Sequence, residues 1–218
     1  MVAILVEIEY LKAILESMKN NTSMRSVIYI GLHGAGKTVL LNSIEEIADK
    51  IEVVYEHIEV DPKVDFITQL IATFQTLTRK VSVKEKAEKF LDDIAVAIKC
   101  LSVSVEGENG LLTFSMTEKE RGLYKANNLS KSLTDAFVAL GKAAKASETP
   151  IAVFIDEIQY LKEDQISALA VALHRVNQLD YPITLIGAGL PQTRRLFGDA
   201  KSYSERLFEY REIRNSDK

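Results

Sequence analysis

The octapeptide GLHGAGKT, residues 31–38, constrains this chain more than any other stretch. It follows VIYIG (27–31), a continuous apolar run suited to a strand buried on both faces of a parallel sheet. After it, Val39, Leu40, Leu41, Ile44, Ile47 and Ala48 recur at helical spacing. Glycine, four residues, glycine, lysine, threonine between a strand and a helix is a pattern that cradles phosphate. The glycines let main-chain N–H groups turn inward around the anion, and the helix presents its positive end to the same charge. Gly31, Leu32, His33, Gly34, Ala35, Gly36, Lys37, Thr38 and Val39 are therefore expected to line a nucleotide. Lys37 would reach the β- and γ-phosphates, and the Thr38 hydroxyl would ligate magnesium. His33 fills a variable position, where a solvent-facing histidine needs no chemical role.

A second apolar run, IAVFIDE (151–157), ends in two adjacent carboxylates. Parallel sheets gather their ligands at the carboxyl ends of the strands. Asp156 alone would read as the cap of the next helix. Beside a phosphate loop it reads as a magnesium ligand, acting through water. Glu157 leaves the strand end in another direction and can hold and deprotonate a water aimed at the γ-phosphate, so it is the expected catalytic base, and Lys37 on the phosphates is the other expected catalytic residue.

The rest of the chain supplies alternating elements. Residues 51–60 are rich in β-branched side chains and read as a second strand, closed by Asp61-Pro62. Val64, Ile67, Leu70, Ile71, Phe74 and Leu77 mark one helix, and Ala87, Phe90, Leu91, Ile94, Ala95 and Ile98 another. Residues 102–116 switch to alternation, and a turn at Asn109-Gly110 would set Val105 opposite Phe114 and Val103 opposite Met116. An inserted β-hairpin near 102–117 is expected. Leu129, Leu133, Phe137 and Leu140 mark a helix, as do Ile166, Leu169, Leu173 and Val176, with strands at 183–186 and 207–213. Strands and helices in this alternation imply an α/β, three-layer architecture around a mostly parallel five-stranded sheet.

Composition closes off other classes. With 218 residues, 47% of them hydrophobic, the chain has material for one sizeable core. The formal charge of −4 gives no whole-chain field that would draw it onto nucleic acid. Cys100 is the one cysteine and fits buried packing, with no disulfide or zinc site of its own. The opening MVAILVEIEYL is too short an apolar run for a membrane span and carries Glu7 and Glu9, so a cytoplasmic protein is expected.

With these residues in view, IAVFIDEIQYL resembles the second nucleotide motif of the AAA+ ATPases, and its Asp-Glu pair sets it apart from small-molecule P-loop kinases. The series IDEIQYL, ALHRVNQ, PITLIGAGLPQ and AKSYSERLFEY is similar to prokaryotic AAA-family ATPases close to the replication-initiator clade. The resemblance runs over 26–213. It implies a sheet ordered fifth, first, fourth, third, second, with ATP or ADP and Mg2+ as cofactors. It also implies that Arg206, in SYSERLF, reaches the γ-phosphate on a neighbouring subunit of a homo-oligomer. DNA as a partner follows only from that kinship. The helix at 7–18 lies where the family places the base, without the usual Gly-Arg element. The family's polar sensor at the end of the fourth strand is also missing, because LIGAGLP offers Ala188 between Gly187 and Gly189. Thr184 and Gln192 are the fallback positions. On this reading residues 1–25 are a helix and lead-in, 26–214 the nucleotide-binding domain, and 215–218 the place where a helical lid would begin.

Three functions fit these residues. One is hydrolysis of Mg-ATP driving a conformational change. Another is a slow nucleotide-gated switch or scaffold, which the weak sensor position favours. The third is an initiator-like ATPase associated with DNA through further domains.

Overall fold

The computed structural model describes residues 2–20, 22–82, 85–106, 129–200 and 207–213. Helix α1 (Val2–Met18) leads into strand β1 (Ser26–Ile30), helix α2 (Lys37–Lys50) and strand β2 (Val54–Glu59). Helix α3 (Phe66–Ser82), a 3-10 turn at Glu85–Phe90, α4 (Leu91–Glu106) and α5 (Leu129–Ala146) follow. Strand β3 (Ile151–Asp156), a short turn at Ile158–Tyr160, α6 (Glu163–Gln178), β4 (Ile183–Gly189), α7 (Thr193–Ala200) and β5 (Phe208–Glu212) complete the chain.

All pairings are parallel, in the order β2-β3-β4-β1-β5. Taken from the other edge this is 5-1-4-3-2, the expected order. The three central strands are buried at every position, which is why each reads as an unbroken apolar run. Edge strands β2 and β5 are only partly covered and carry the charged residues Glu56, His57, Glu209 and Arg211.

Alternation along each strand divides the core in two. Ile28, Ile30, Val153, Ile155 and Leu185 face a layer that includes Leu70, Phe74, Phe137, Leu140, Leu169 and Leu173 from α3, α5 and α6. Val27, Tyr29, Ala152, Phe154, Ile186 and Ala188 face Leu11 and Leu15 of α1 and Leu40, Leu41 and Ile44 of α2. Phe154 is fully buried and meets the Tyr55 ring edge-on at 5.7 Å. Truncating such a side chain to alanine costs about 3–5 kcal/mol, so the sheet's grip on α2 depends heavily on it.

The expected hairpin is corrected at its first arm. Residues 102–106 form the last turns of α4, where Ile94, Ile98 and Leu101 are buried at helical spacing. A V-S-V stretch satisfies strand alternation and can also continue a helix, and here it continues α4. The turn at Asn109-Gly110 and the second arm lie outside the described residues. The strand expected at 51–60 is also shorter. Ile51 and Val53 still donate to Ile47 and Ala48 at the end of α2, so β2 begins at Val54. Cys100 is buried, as its place on an apolar helix face implied.

Candidate functional site

The carboxyl ends of β1, β3 and β4 meet at one edge, and the GLHGAGKT loop closes over it. Gly34 and Gly36 hold φ of +76° and +93°, a backbone that side-chain-bearing residues rarely adopt. Gly36 is also the N-cap of α2 and supplies no side-chain cap, so the first N–H groups of that helix stay available to an anion. Gly31 is forced to be small, since a Cβ there would sit 2.6 Å from the Ile213 carbonyl oxygen. Ile4 of α1 packs onto Gly36 in the same way, 2.7 Å from a built Cβ, so α1 covers the end of the loop.

Lys37 is 6% exposed. Its Nζ donates to the main-chain oxygens of Gly31 at 2.9 Å and Leu32 at 3.0 Å. Among the described ion pairs none includes it. A buried ammonium balanced only by neutral carbonyls lacks the counter-charge that buried cations normally have. Thr38 lies one residue on, and its hydroxyl donates to Asp156 Oδ2 at 2.6 Å. That bond spans 118 positions of sequence and joins the two motifs. Asp156 is buried, and its other oxygen accepts from the Glu157 N–H at 2.8 Å. It does not cap α6, whose N-cap is Lys162.

Glu157 sits at φ 55° and ψ 35°, the left-handed region, which swings it out of line with β3. With His33, Glu59, Val60, Asp61, Pro62 and Tyr160 it lines a cavity of about 520 Å3 beside the loop. Its carboxylate accepts from the Gln159 side chain. His33 is exposed on that wall. Among the described residues no cluster of three or more His, Cys, Asp or Glu could hold a metal by itself. Magnesium does not need one, because it is usually bound through one or two protein oxygens, substrate phosphates and water, and Thr38 with Asp156 fits that habit.

Of the two fallback sensor positions, Thr184 does not join the site. Thr184 is at the amino end of β4, its hydroxyl donating to the Arg25 carbonyl at 3.4 Å at the opposite end of the strands from the loop. Gln192 is exposed after β4. Arg206 lies outside the described residues. Arg195 pairs with Asp199 at 3.4 Å on an exposed helix face, and Arg194 lies 5.6 Å over the Tyr210 ring. Gln159 was not singled out in the sequence, although its place two residues past Glu157 in IDEIQYL was the available signal.

A second charged cluster ties α1 to β5. Arg211 donates to both oxygens of Glu7, at 2.5 and 3.0 Å, and to Glu209 at 2.9 Å, while lying 4.0 Å over the Tyr10 ring. Tyr10 donates to Glu209 at 2.6 Å, and Tyr29 to Glu7 at 3.0 Å. Burial, then the bond to Glu209, pushes the Tyr10 phenol up to about 12. Burial and neighbouring Glu7 push Tyr29 higher still. The Tyr10 hydroxyl holds Glu209 below the usual carboxylate range.

The phosphate loop, the acidic strand end and this strand order define a nucleotide-binding domain of ATPase type. The chain belongs to the AAA ATPase domain family, whose sequence profile matches residues 6–186. Its fold is similar to that of Cdc6p from Pyrobaculum aerophilum, with a TM-score of 0.51 and 12% identity, covering 94% of this chain and 44% of that one. The Orc1 protein of Aeropyrum pernix, solved in complex with DNA, matches at a TM-score of 0.40 and 14% identity, again over 94% and 44%. The chain thus spans less than half the length of either solved protein. No protein of curated function matches its sequence. No described helix is long and apolar enough to cross a membrane.

Proposed function

We propose that this chain binds Mg-ATP and hydrolyses it to ADP and phosphate, using the energy to change conformation. The observation that carries the reading is the Thr38–Asp156 hydrogen bond at 2.6 Å beside a buried Lys37 that joins no ion pair among the described residues. In this reading the main-chain N–H groups of residues 34–38 receive the β-phosphate, and Lys37 leaves the carbonyls of Gly31 and Leu32 for the β- and γ-phosphates. Thr38, and Asp156 through water, would hold magnesium, which would supply neutralisation of the charge that develops on the phosphate oxygens. Glu157 holds a water from the cavity side and accepts its proton as the water oxygen bonds to the γ-phosphorus. The bond to the bridging oxygen breaks, and ADP is the leaving group.

Arg206 completes the reading from a neighbouring subunit of a homo-oligomer, where its guanidinium would meet the γ-phosphate. A second reading, a nucleotide-gated switch with little turnover, is favoured by one feature. The end of β4 offers only Gly187, Ala188 and Gly189, so no polar side chain from that strand assists the water.

Phosphate release by the wild type and by Glu157→Gln, with bound nucleotide identified by mass, separates the two. Hydrolysis predicts turnover in the wild type and its loss in the variant, with nucleotide retained by both. Tight nucleotide without turnover in either supports the switch. Absence of nucleotide binding removes both.

A further inference from the structure

Gln159 belongs to neither nucleotide motif, yet it is the side chain through which they communicate. It lies in the single turn Ile158–Tyr160 that follows Glu157. Both ends of its amide are engaged. Oε1 accepts the Leu190 main-chain N–H at 3.1 Å, just past the end of β4, and Nε2 donates to Glu157 Oε2. Only an oxygen can answer the Leu190 N–H, so the amide nitrogen is turned towards the carboxylate.

Space for this reach is created by the last residue of β4. A Cβ at Gly189 would stand 2.9 Å from Gln159 Oε1 and 2.6 Å from Thr193 Oγ1, closer than real Cβ contacts come. The lack of a side chain at the end of β4 is thus what admits a polar group from β3's turn. The path also continues to the loop. Gly189's carbonyl accepts the Gly31 N–H at 3.1 Å, and Gly31's own carbonyl accepts from Lys37 Nζ at 2.9 Å. A run of hydrogen bonds and adjoining backbone therefore joins the Glu157 carboxylate to the phosphate-loop lysine.

We propose that Gln159 is a positioning residue for hydrolysis, fixing the Glu157 carboxylate and tying its place to the phosphate loop through the end of β4. The inference rests on the ATPase reading above. A left-handed backbone aims Glu157 at the cavity but leaves its side-chain torsions free. The bond to Oε2 removes that freedom, and among the described contacts Oε1 is left for water. When phosphate draws Lys37 off the Gly31 carbonyl, the same path conveys the change to Glu157.

The test compares two substitutions that differ in one half of the amide. Gln159→Ala removes both bonds. Gln159→Glu keeps an oxygen for the Leu190 N–H but replaces the donor facing Glu157 with a second carboxylate. Both are expected to lower kcat for phosphate release about 10- to 100-fold, the penalty of a misplaced reacting group. ATP affinity should stay at the wild-type value in both variants. Adding Gln159→Ala to Glu157→Gln should cause no further loss.

Wild-type kcat in Gln159→Glu would reduce Gln159 to a prop for the β4–α7 turn and overturn the inference. So would faster turnover in Gln159→Ala, or a loss that adds to that of Glu157→Gln. The two readings fail separately. Loss of turnover in Glu157→Gln with full turnover in both Gln159 variants sinks the positioning role alone. Full turnover in Glu157→Gln sinks the role of Glu157, and Gln159's with it.

Discussion

Arg211 and Lys37 are both cations held against the same sheet, and their surroundings differ in kind. Arg211 is enclosed by Glu7 and Glu209, with Tyr10 beneath its guanidinium, so its charge is answered from within the fold. Lys37 is more deeply buried and, among the described residues, its ammonium donates to the carbonyls of Gly31 and Leu32 and to no carboxylate. The first cluster is a finished joint between α1 and β5. The second stands at a helix end whose N-cap, Gly36, supplies no side-chain cap, a setting that suits a negative charge arriving from outside. Charge by itself therefore does not mark a site here; charge without an internal partner does.

The comparison is broken most severely by the carboxylate that touches neither cation. Glu157→Gln should lower kcat by about 10²–10⁴, the usual contribution of a positioned base, and leave ATP affinity in place. A steady-state phosphate-release assay beside a binding titration reads both. Next in size, Lys37→Met should weaken ATP binding by about 1.5–3 kcal/mol through loss of charge-assisted bonds. Because methionine fills the lysine stem's space without a buried charge, the ligand-free protein should be no less stable to urea than the wild type. Reduced stability in that variant would mean that Lys37 is structural after all.

Arg211→Ala should show the reverse pattern. Glu7 and Glu209 lose their charged donor and keep only the hydroxyls of Tyr29 and Tyr10, so stability to urea should fall by about 1.5–3 kcal/mol while ATP affinity is kept. An equal loss of affinity would show that the joint and the site are one unit. The smallest effect is a pH dependence. Glu209 titrates lower when folded than when unfolded, chiefly because Tyr10 donates to it. It therefore adds stability above its unfolded value, and that stability is lost as pH falls through the folded one. Tyr10→Phe should flatten this acid loss and cost about 1 kcal/mol at neutral pH, measured by urea unfolding at neutral and acid pH.

Much of this molecule is legible in its sequence because the relevant residues are contiguous. GLHGAGKT and IAVFIDE each carry strand, turn and chemistry in one short stretch, and a buried parallel strand advertises itself as an apolar run. Strand order followed from the resemblance, since apolar runs do not say which neighbour they choose. What stayed hidden depends on pairs far apart. The Arg211–Glu7 bond spans 204 positions, and no local pattern announces it. Thr184 fits a sensor by type but stands at the wrong end of its strand. Gln159 reaches Leu190 only because Gly189 leaves room, a three-body condition that appears only once β3 and β4 lie side by side. The 102–106 stretch misled for the opposite reason, since its alternation is local and the helix that begins at Leu91 runs on through it.

Calorimetric titration of the wild type with ATP, ADP and AMP in magnesium bears most directly on the claim that Lys37 and the uncapped end of α2 await a polyphosphate. ATP and ADP are expected to bind, AMP to bind at least about tenfold more weakly for want of the phosphates that the lysine would meet, and Lys37→Met to erase that preference. Equal affinity for all three nucleotides, or an unchanged preference in Lys37→Met, would contradict the account.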